Sequence, residues 1–428
     1  MTLLMWQVMG GWLVAMLLGV PLFASMGLAA FAFVYLGGMP PGMVPQKIAQ
    51  SANSFPLLAA PLFILMGNIM NSAGITERIF TFATACVGWL RGGLCHANIL
   101  ASVIFAGMSG SAVADAGGVG TLEIKAMQDE GYDAETAAAI TAASATIGPI
   151  IPPSLPMVVY GVSADVSIGG LFLAGVIPGL LMAGALMLMV TEVARRRNLP
   201  RHPFPGMADL WHAYKRAHWA LMTPVLLFGG MMSGIFTPTE AAGVATVYAL
   251  FLGLVVYRDF DLRQLPRIVA DTVETTGVVL ALVMTAAALG WCLSISRLPQ
   301  TLGPQIVATI GNPLYFLLMV NGLLLIVGCF MEALAAMLIL IPILSPAAAA
   351  LGIDPIQFGL IFVLNLMIGT ITPPVGVVLF VTAKIANISF GAMSRAIVPW
   401  LMPLLAVLLA ITLWPPLTTW LPKLVMGR

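Results

Sequence analysis

Apolar residues fall in long blocks separated by short polar stretches. Six blocks, at 55–72, 168–192, 219–234, 239–257, 271–291 and 397–420, each come close to crossing a hydrocarbon core of ~30 Å as a helix. The block at 1–36 reads either as one tilted helix or as two short ones broken near Pro21. It lacks the basic start of a secretory signal and leads into further apolar segments, so it is expected to stay in the mature chain. The pattern predicts an all-α polytopic membrane protein.

Composition sharpens this. Of 428 residues 60% are hydrophobic and only 8% charged, against about a quarter charged in soluble domains, which excludes a soluble enzyme. A net charge of +1 leaves no basic excess for nucleic acid, and four scattered histidines do not make a metal cluster. Cys86, Cys95, Cys292 and Cys329 sit in apolar segments without CxxC spacing and read as small hydrophobes. The charges give orientation. Arg195, Arg196, Arg197, Arg201, Lys215 and Arg216 occupy one loop, and Arg258, Arg263 and Arg267 follow one hairpin of two spans later, so both loops face the cytoplasm. Following the chain from there puts fourteen Lys and Arg inside and four, Lys47, Arg297, Lys423 and Arg428, outside. That bias agrees with the span count.

The sequence also repeats. A shift of 221 residues lays Gly107 on Gly328, Gly131 on Gly352, Asp133 on Asp354 and Gly148 on Gly369 without a gap. It superposes Ile147-Gly148-Pro149-Ile150-Ile151-Pro152-Pro153 on Ile368-Gly369-Thr370-Ile371-Thr372-Pro373-Pro374. Between the Pro-Pro sites lie half a helix, four spans, a segment that enters and returns, and another half helix. That odd number of crossings inverts the second copy.

Each Pro-Pro site interrupts an apolar stretch. Pro149, Pro152 and Pro153, and likewise Pro373 and Pro374, remove amide donors, so the helix unwinds and leaves carbonyl oxygens without intrahelical partners. In lipid those oxygens need partners, which a cation, neighbouring helices or water can supply. Upstream of each break an apolar stretch is interrupted by small or polar residues and reads as a re-entrant hairpin. The first has 99–105 descending, 107–111 as its tip and 112–127 returning; the second has 313–327, 328–332 and 333–347. The returning helix starts favour an anion, so a carboxylate fits between tips and breaks, with Ser109, Gly110, Ser111, Ser154 and Gly376 as candidate contacts. Asp115 and Glu332, near the tips, read equally as helix N-terminal acids or as ion or proton ligands. Glu240 reads as the acid of a capped helix start and Arg297 as an interfacial anchor. Segments 77–93 and 298–311 read as interfacial arm helices.

The stretches Gly107–Asp115, Thr146–Ser154, Gly234-Ile235-Phe236-Thr237-Pro238-Thr239-Glu240-Ala241-Ala242 and Gly369–Gly376 resemble the large membrane (M) subunit of tripartite ATP-independent periplasmic (TRAP) transporters, in the ion transporter superfamily. The similarity runs over nearly the whole chain. It implies an inverted-repeat, elevator-type importer of organic acids driven by sodium, in the bacterial inner membrane, with a small four-helix membrane subunit and a periplasmic substrate-binding protein as partners. The first broken-helix unit begins too early for a fused small subunit, so a separate one is expected. The resemblance places one sodium on Ser109, Ser111, Gly148 and Ile151 and a second on Gly328, Glu332, Thr370 and Thr372. It divides the chain into scaffold helices and a first arm at 1–93, a first transport unit at 94–165, linking scaffold at 166–297, a second arm at 298–312, a second transport unit at 313–386 and a C-terminal scaffold helix at 387–428. No cofactor is implied beyond the coupling ions. The other readings are a stand-alone sodium-coupled dicarboxylate or anion symporter and, more distantly, a membrane-embedded enzyme. Such an enzyme would need a buried nucleophile with a base or a carboxylate pair, and no His or paired Asp lies in a clear span. A simple channel leaves the duplicated breaks without a role.

Overall fold

In a computed structural model the described residues are 1–197, 199–201, 203–298 and 310–427, less the side chains of Leu17, Gly107, Met108 and Ser109. All regular structure among them is helical, and seven helical stretches are long and apolar enough to cross a membrane. At the N-terminus the alternatives resolve in favour of two helices, α1 (Thr2–Leu17) and α2 (Leu22–Leu36), packed on each other across a turn that ends at Pro21. Pro21 fixes the entry into α2 and cannot continue α1. A short α3 (Met43–Ala52) follows, then a 3₁₀ turn (Phe55–Leu58) that runs into α4 (Ala59–Ser72). The segment expected as the first arm, 77–93, holds α5 (Ile75–Val87), which begins two residues before that reading and ends six residues before it.

The first hairpin is α6 (Gly93–Ser109), a two-residue tip at Gly110 and Ser111, and a return arm in two pieces, α7 (Ala112–Gly117) and α8 (Val119–Asp129), divided at Gly118. The expected five-residue tip is therefore corrected, since α6 stays helical through Gly107 to Ser109. The first broken helix is α9 (Ala134–Ala145) and α10 (Leu155–Ala164). Four long helices follow: α11 (Ile168–Arg196), α12 (Met207–Met232), α13 (Pro238–Phe251, extended by a π-helical turn Leu252–Val256) and α14 (Leu265–Ser296). The expected arm helix at 298–312 lies almost wholly outside the described residues. The second hairpin is α15 (Pro313–Phe330) and α16 (Ala333–Ala350), and again the tip is only two residues, Met331 and Glu332. The second broken helix is α17 (Pro355–Gly369) and α18 (Val377–Ala386).

The last span differs from its sequence reading. It is α19 (Phe390–Leu413), followed by a separate α20 (Pro416–Met426), rather than one helix over 397–420. Ser389 caps α19 by accepting the Ala392 amide at 3.2 Å, which starts the helix ahead of Arg395. Pro415 and Pro416 end it, because neither offers an amide and Trp414, before them, is pushed to an extended backbone.

The 221-residue relation survives as packing. The entering arm of each hairpin lies against the first half of its own broken helix, α6 on α9 and α15 on α17. The second half of each broken helix lies against the other copy's return arm, α10 on α16, and α18 on α7 and α8. The long helix after each copy rests on the opposite copy's first half, α11 on α17 and α19 on α9. This interlocking builds one apolar core around the two breaks, with α1 to α4 and α12 to α14 along its side.

Candidate functional site

At the first break, α9 stops because Thr146 turns its hydroxyl back onto the Ala143 carbonyl at 2.6 Å and the prolines supply no further amides. Ser154 then stitches the gap. Its hydroxyl donates to the Pro149 carbonyl at 2.5 Å, and its oxygen accepts the Met157 amide at 3.2 Å to cap α10. One oxygen expected to await a cation is thus already satisfied, and the hydroxyl proton of Ser154 is committed to the backbone. Ile147 receives the amides of Ile150 and Ile151 at 2.9 and 3.0 Å.

The hairpin tip seats on this gap. Gly110 is left-handed at φ 61°, and a Cβ there would lie 2.8 Å from the Pro153 carbonyl oxygen and 3.1 Å from the Leu155 amide nitrogen. Ser111 caps α7 by accepting the Ala114 amide at 3.4 Å. The carboxylate of Asp115, in the first turn of α7 and only 4% exposed, presses on the α-carbon of Gly148, where a Cβ would overlap Oδ2. Gly110, Ser111, Asp115, Gly148 and Ser154 therefore converge. The side chain of Ser109 lies outside the described residues. The Ile151 side chain points into α11 at Gly179, and the Ile150 carbonyl points at Gly175. These two glycines were not singled out from sequence, although Gly175-x-x-x-Gly179 is a spacing that lets backbones approach in membranes.

The second break is built alike. A Cβ on Gly369 would lie 2.6 Å from the Gly328 α-carbon, so α15 touches the broken helix backbone to backbone. The Gly376 amide, at φ 55°, donates to the Cys329 carbonyl at 3.1 Å, and the Val378 amide bridges the gap to the Thr370 carbonyl at 3.1 Å. Thr370 and Thr372 donate their hydroxyl protons to Met367 and Ile368 carbonyls at 2.6 and 2.7 Å. With the proton used on the backbone, what each hydroxyl presents outward is oxygen lone pairs, the donor type a hard cation takes. Glu332 caps α16, accepting the Ala335 amide at 3.0 Å. Its helix N-terminal role is thereby seen directly. The Pro152-Pro153 and Pro373-Pro374 bonds are both cis.

Two buried amide networks brace these gaps. Asn98 on α6 donates to Glu123 and Thr141 at 2.6 and 2.8 Å and accepts from Ser144 at 2.6 Å. Asn365 on α17 donates to Asn321 at 2.7 Å, which donates to Thr412 at 3.0 Å. Single amides within apolar runs are the signal that would have marked them. Glu240 and Thr237 form the expected cap, with the Thr237 amide donating at 2.8 Å to Glu240, whose own amide donates back to the Thr237 hydroxyl at 3.3 Å. A cavity of about 740 Å³ lies away from the breaks, between α14 and the pair α10 and α16, lined by Ser163, Gly290, Ser294, Leu338 and Pro342 among others.

Against known proteins, residues 9–417 match the family described as tripartite ATP-independent periplasmic transporter, DctM component. The chain is 46% identical to the sialic acid TRAP transporter large permease protein SiaM of Vibrio cholerae, over 97% of this chain and 98% of that one. It is 42% identical to the C4-dicarboxylate TRAP transporter large permease protein DctM of Pseudomonas aeruginosa over 88% of each, and 39% identical to the 2,3-diketo-L-gulonate large permease YiaN of Escherichia coli over 88% of each. The fold is shared with the YdaH transporter of Alcanivorax borkumensis, at a TM-score of 0.62 and 16% identity over 86% of this chain and 87% of that one. The chain belongs to the DctM family, the large membrane permeases of tripartite ATP-independent periplasmic transporters.

Proposed function

We propose that this permease imports an organic acid across the bacterial inner membrane by secondary active transport, coupled to sodium. It works as an elevator in which the two hairpins and two broken helices move as one transport unit against the remaining helices. The observation that carries this reading is the close approach of each hairpin to its own break, the tip residue Gly110 on Pro153 and Gly328, in the last turn of α15, on Gly369, so that the two copies meet their breaks in matched places. Sodium is the ion that main-chain and hydroxyl oxygens suit, at Ser109, Ser111, Gly148 and Ile151 and at Gly328, Glu332, Thr370 and Thr372. The return arms start at Ser111 and Glu332, and helix starts favour a carboxylate. The names of the relatives include sialic acid, C4-dicarboxylates and 2,3-diketo-L-gulonate, all of them organic acids. A small four-helix membrane subunit and a periplasmic substrate-binding protein complete the system, the latter selecting the acid.

The test is uptake of labelled acid into proteoliposomes holding the permease and its small subunit, with and without the binding protein, under imposed sodium or proton gradients. Uptake is expected only with the binding protein and an inward sodium gradient. Uptake driven equally by protons when choline replaces sodium would refute the coupling, and unaided uptake would identify a stand-alone symporter.

A further inference from the structure

A second cavity, of about 510 Å³, lies on the face that carries the Lys and Arg excess, between α5, α12 and the end of α13. Its wall holds three cations, Arg78, Lys215 and Arg216, and two carboxylates, Glu77 and Asp259. Arg78 is engaged within the fold. Its guanidinium pairs with Asp259 at 2.6 Å, donates to the Gly74 carbonyl at 2.9 Å and lies 4.2 Å from the centroid of the Tyr257 ring. Lys215 and Arg216 are different. Both are exposed, and neither enters an ion pair among the described residues. Lys215 only stands 5.4 Å from the Trp211 ring centroid.

The depth of the recess identifies what these two cations face. In α12 the first turns, from Met207 to Arg216, carry Asp209, His212, Lys215 and Arg216, and from Trp219 onward the helix is apolar. On the opposite wall Tyr257 follows directly on the apolar π-helical turn Leu252–Val256. Trp219 and Tyr257 therefore stand where hydrocarbon gives way to water, the level at which such rings collect. A concave site at that level, with an ammonium and a guanidinium unclaimed by carboxylates, has the chemistry to bind a phosphate diester. With Asp259 neutralised by Arg78, the wall as a whole keeps an excess of positive charge.

We propose that this cavity seats the phosphate headgroup of an anionic phospholipid, held by Lys215 and Arg216, with Trp219 alongside its acyl chains. The lipid then touches the arm helix α5 on one side and α12 on the other. The proposal stands whether or not the coupling ion is sodium.

The test uses the full chain in phosphatidylcholine with and without phosphatidylglycerol, reading lipid retained on the protein by native mass spectrometry and the unfolding temperature. Lys215→Gln with Arg216→Gln is expected to weaken retention of phosphatidylglycerol about 30-fold, leaving unfolding in phosphatidylcholine alone unchanged. Lys215→Arg with Arg216→Lys keeps both charges and is expected to bind as the parent does. Arg263→Gln with Arg267→Gln, on the neighbouring basic segment that leads into α14, is expected to leave retention intact. Equal loss in that control pair would reduce the effect to general surface attraction and overturn the site. So would undiminished retention in the first pair, or stabilisation by inorganic phosphate alone matching that by the lipid, which would assign the cavity to a free anion.

Discussion

Gly369 shows how little room the breaks leave. A methyl group there meets the Gly328 α-carbon at 2.6 Å, and that neighbour is backbone, which cannot swing aside as a side chain can. Gly369→Ala is expected to cost about 1–3 kcal/mol by overpacking and to abolish uptake by lifting α15 off the break. Gly277→Ala, on α14 with nothing within 4 Å, serves as the control and is expected to leave both intact. Thermal unfolding in detergent and proteoliposome uptake read the two variants, and equal behaviour would show that the close approach is dispensable. Ser154→Ala tests the stitch across the first break. It frees the Pro149 carbonyl and uncaps α10, so a loss of about 1–3 kcal/mol in unfolding is expected. An unchanged unfolding temperature would mean that water or a neighbour replaces the hydroxyl. The break glycines and prolines were legible in sequence because each acts on its own backbone. Gly175 and Gly179 were not read, since their smallness answers a carbonyl and a side chain more than twenty residues away in the chain.

Elements were legible where local chemistry ends them and illegible where hydropathy alone had to. The Thr237 and Glu240 cap was read from sequence and is present, whereas α12 starts well before its apolar half, because helix formation does not wait for the membrane. The hairpin tips shrank for the same reason, since Gly107 and Gly328 lie within helices, and Gly328 serves close packing on Gly369 rather than turning. One tie between elements is testable by pH. Asp133 caps α9, accepting from the Thr136 amide at 2.9 Å, and pairs with Arg197 beyond α11 at 3.0 Å. Partial burial works to raise its carboxyl, yet the Thr136 hydrogen bonds and the Arg197 charge outweigh this and hold it below the ordinary value of 3.8. A depressed carboxylate contributes stability above its unfolded pKa and loses it as pH falls through the folded one. Both partners are about half exposed, so the pair contributes about 0.5 kcal/mol or less. In Asp133→Asn the cap persists but the charge is gone. Its unfolding temperature is expected to lie slightly below the parent's at pH 7 and to converge with it below pH 3.8. A gap that widens in acid would reverse the assignment.

At the scale of the whole molecule, the interlocked repeats join both hairpins and both broken helices into one body, since each copy packs on halves of the other. The offset of 221 residues announced that duplication, but it could not announce the cavity of about 740 Å³, which forms where α10 and α16 meet α14 and the segment from Ser51 to Leu57. Facing residues at its wall offer a direct test of sliding. A Cβ on Gly290 of α14 lies 3.9 Å from the Cβ of Pro342 on α16, within the separation of about 3.5–4.5 Å that a disulfide spans. With Cys86, Cys95, Cys292 and Cys329 replaced, Gly290→Cys with Pro342→Cys is expected to crosslink on oxidation and to stop uptake in proteoliposomes, with reduction restoring it. Each single variant should transport whether oxidised or not. If the crosslinked protein imports its acid at the reduced rate, α14 and the second hairpin keep their register throughout the cycle. Alternating access would then have to come from the hairpin tips opening in place rather than from the body moving.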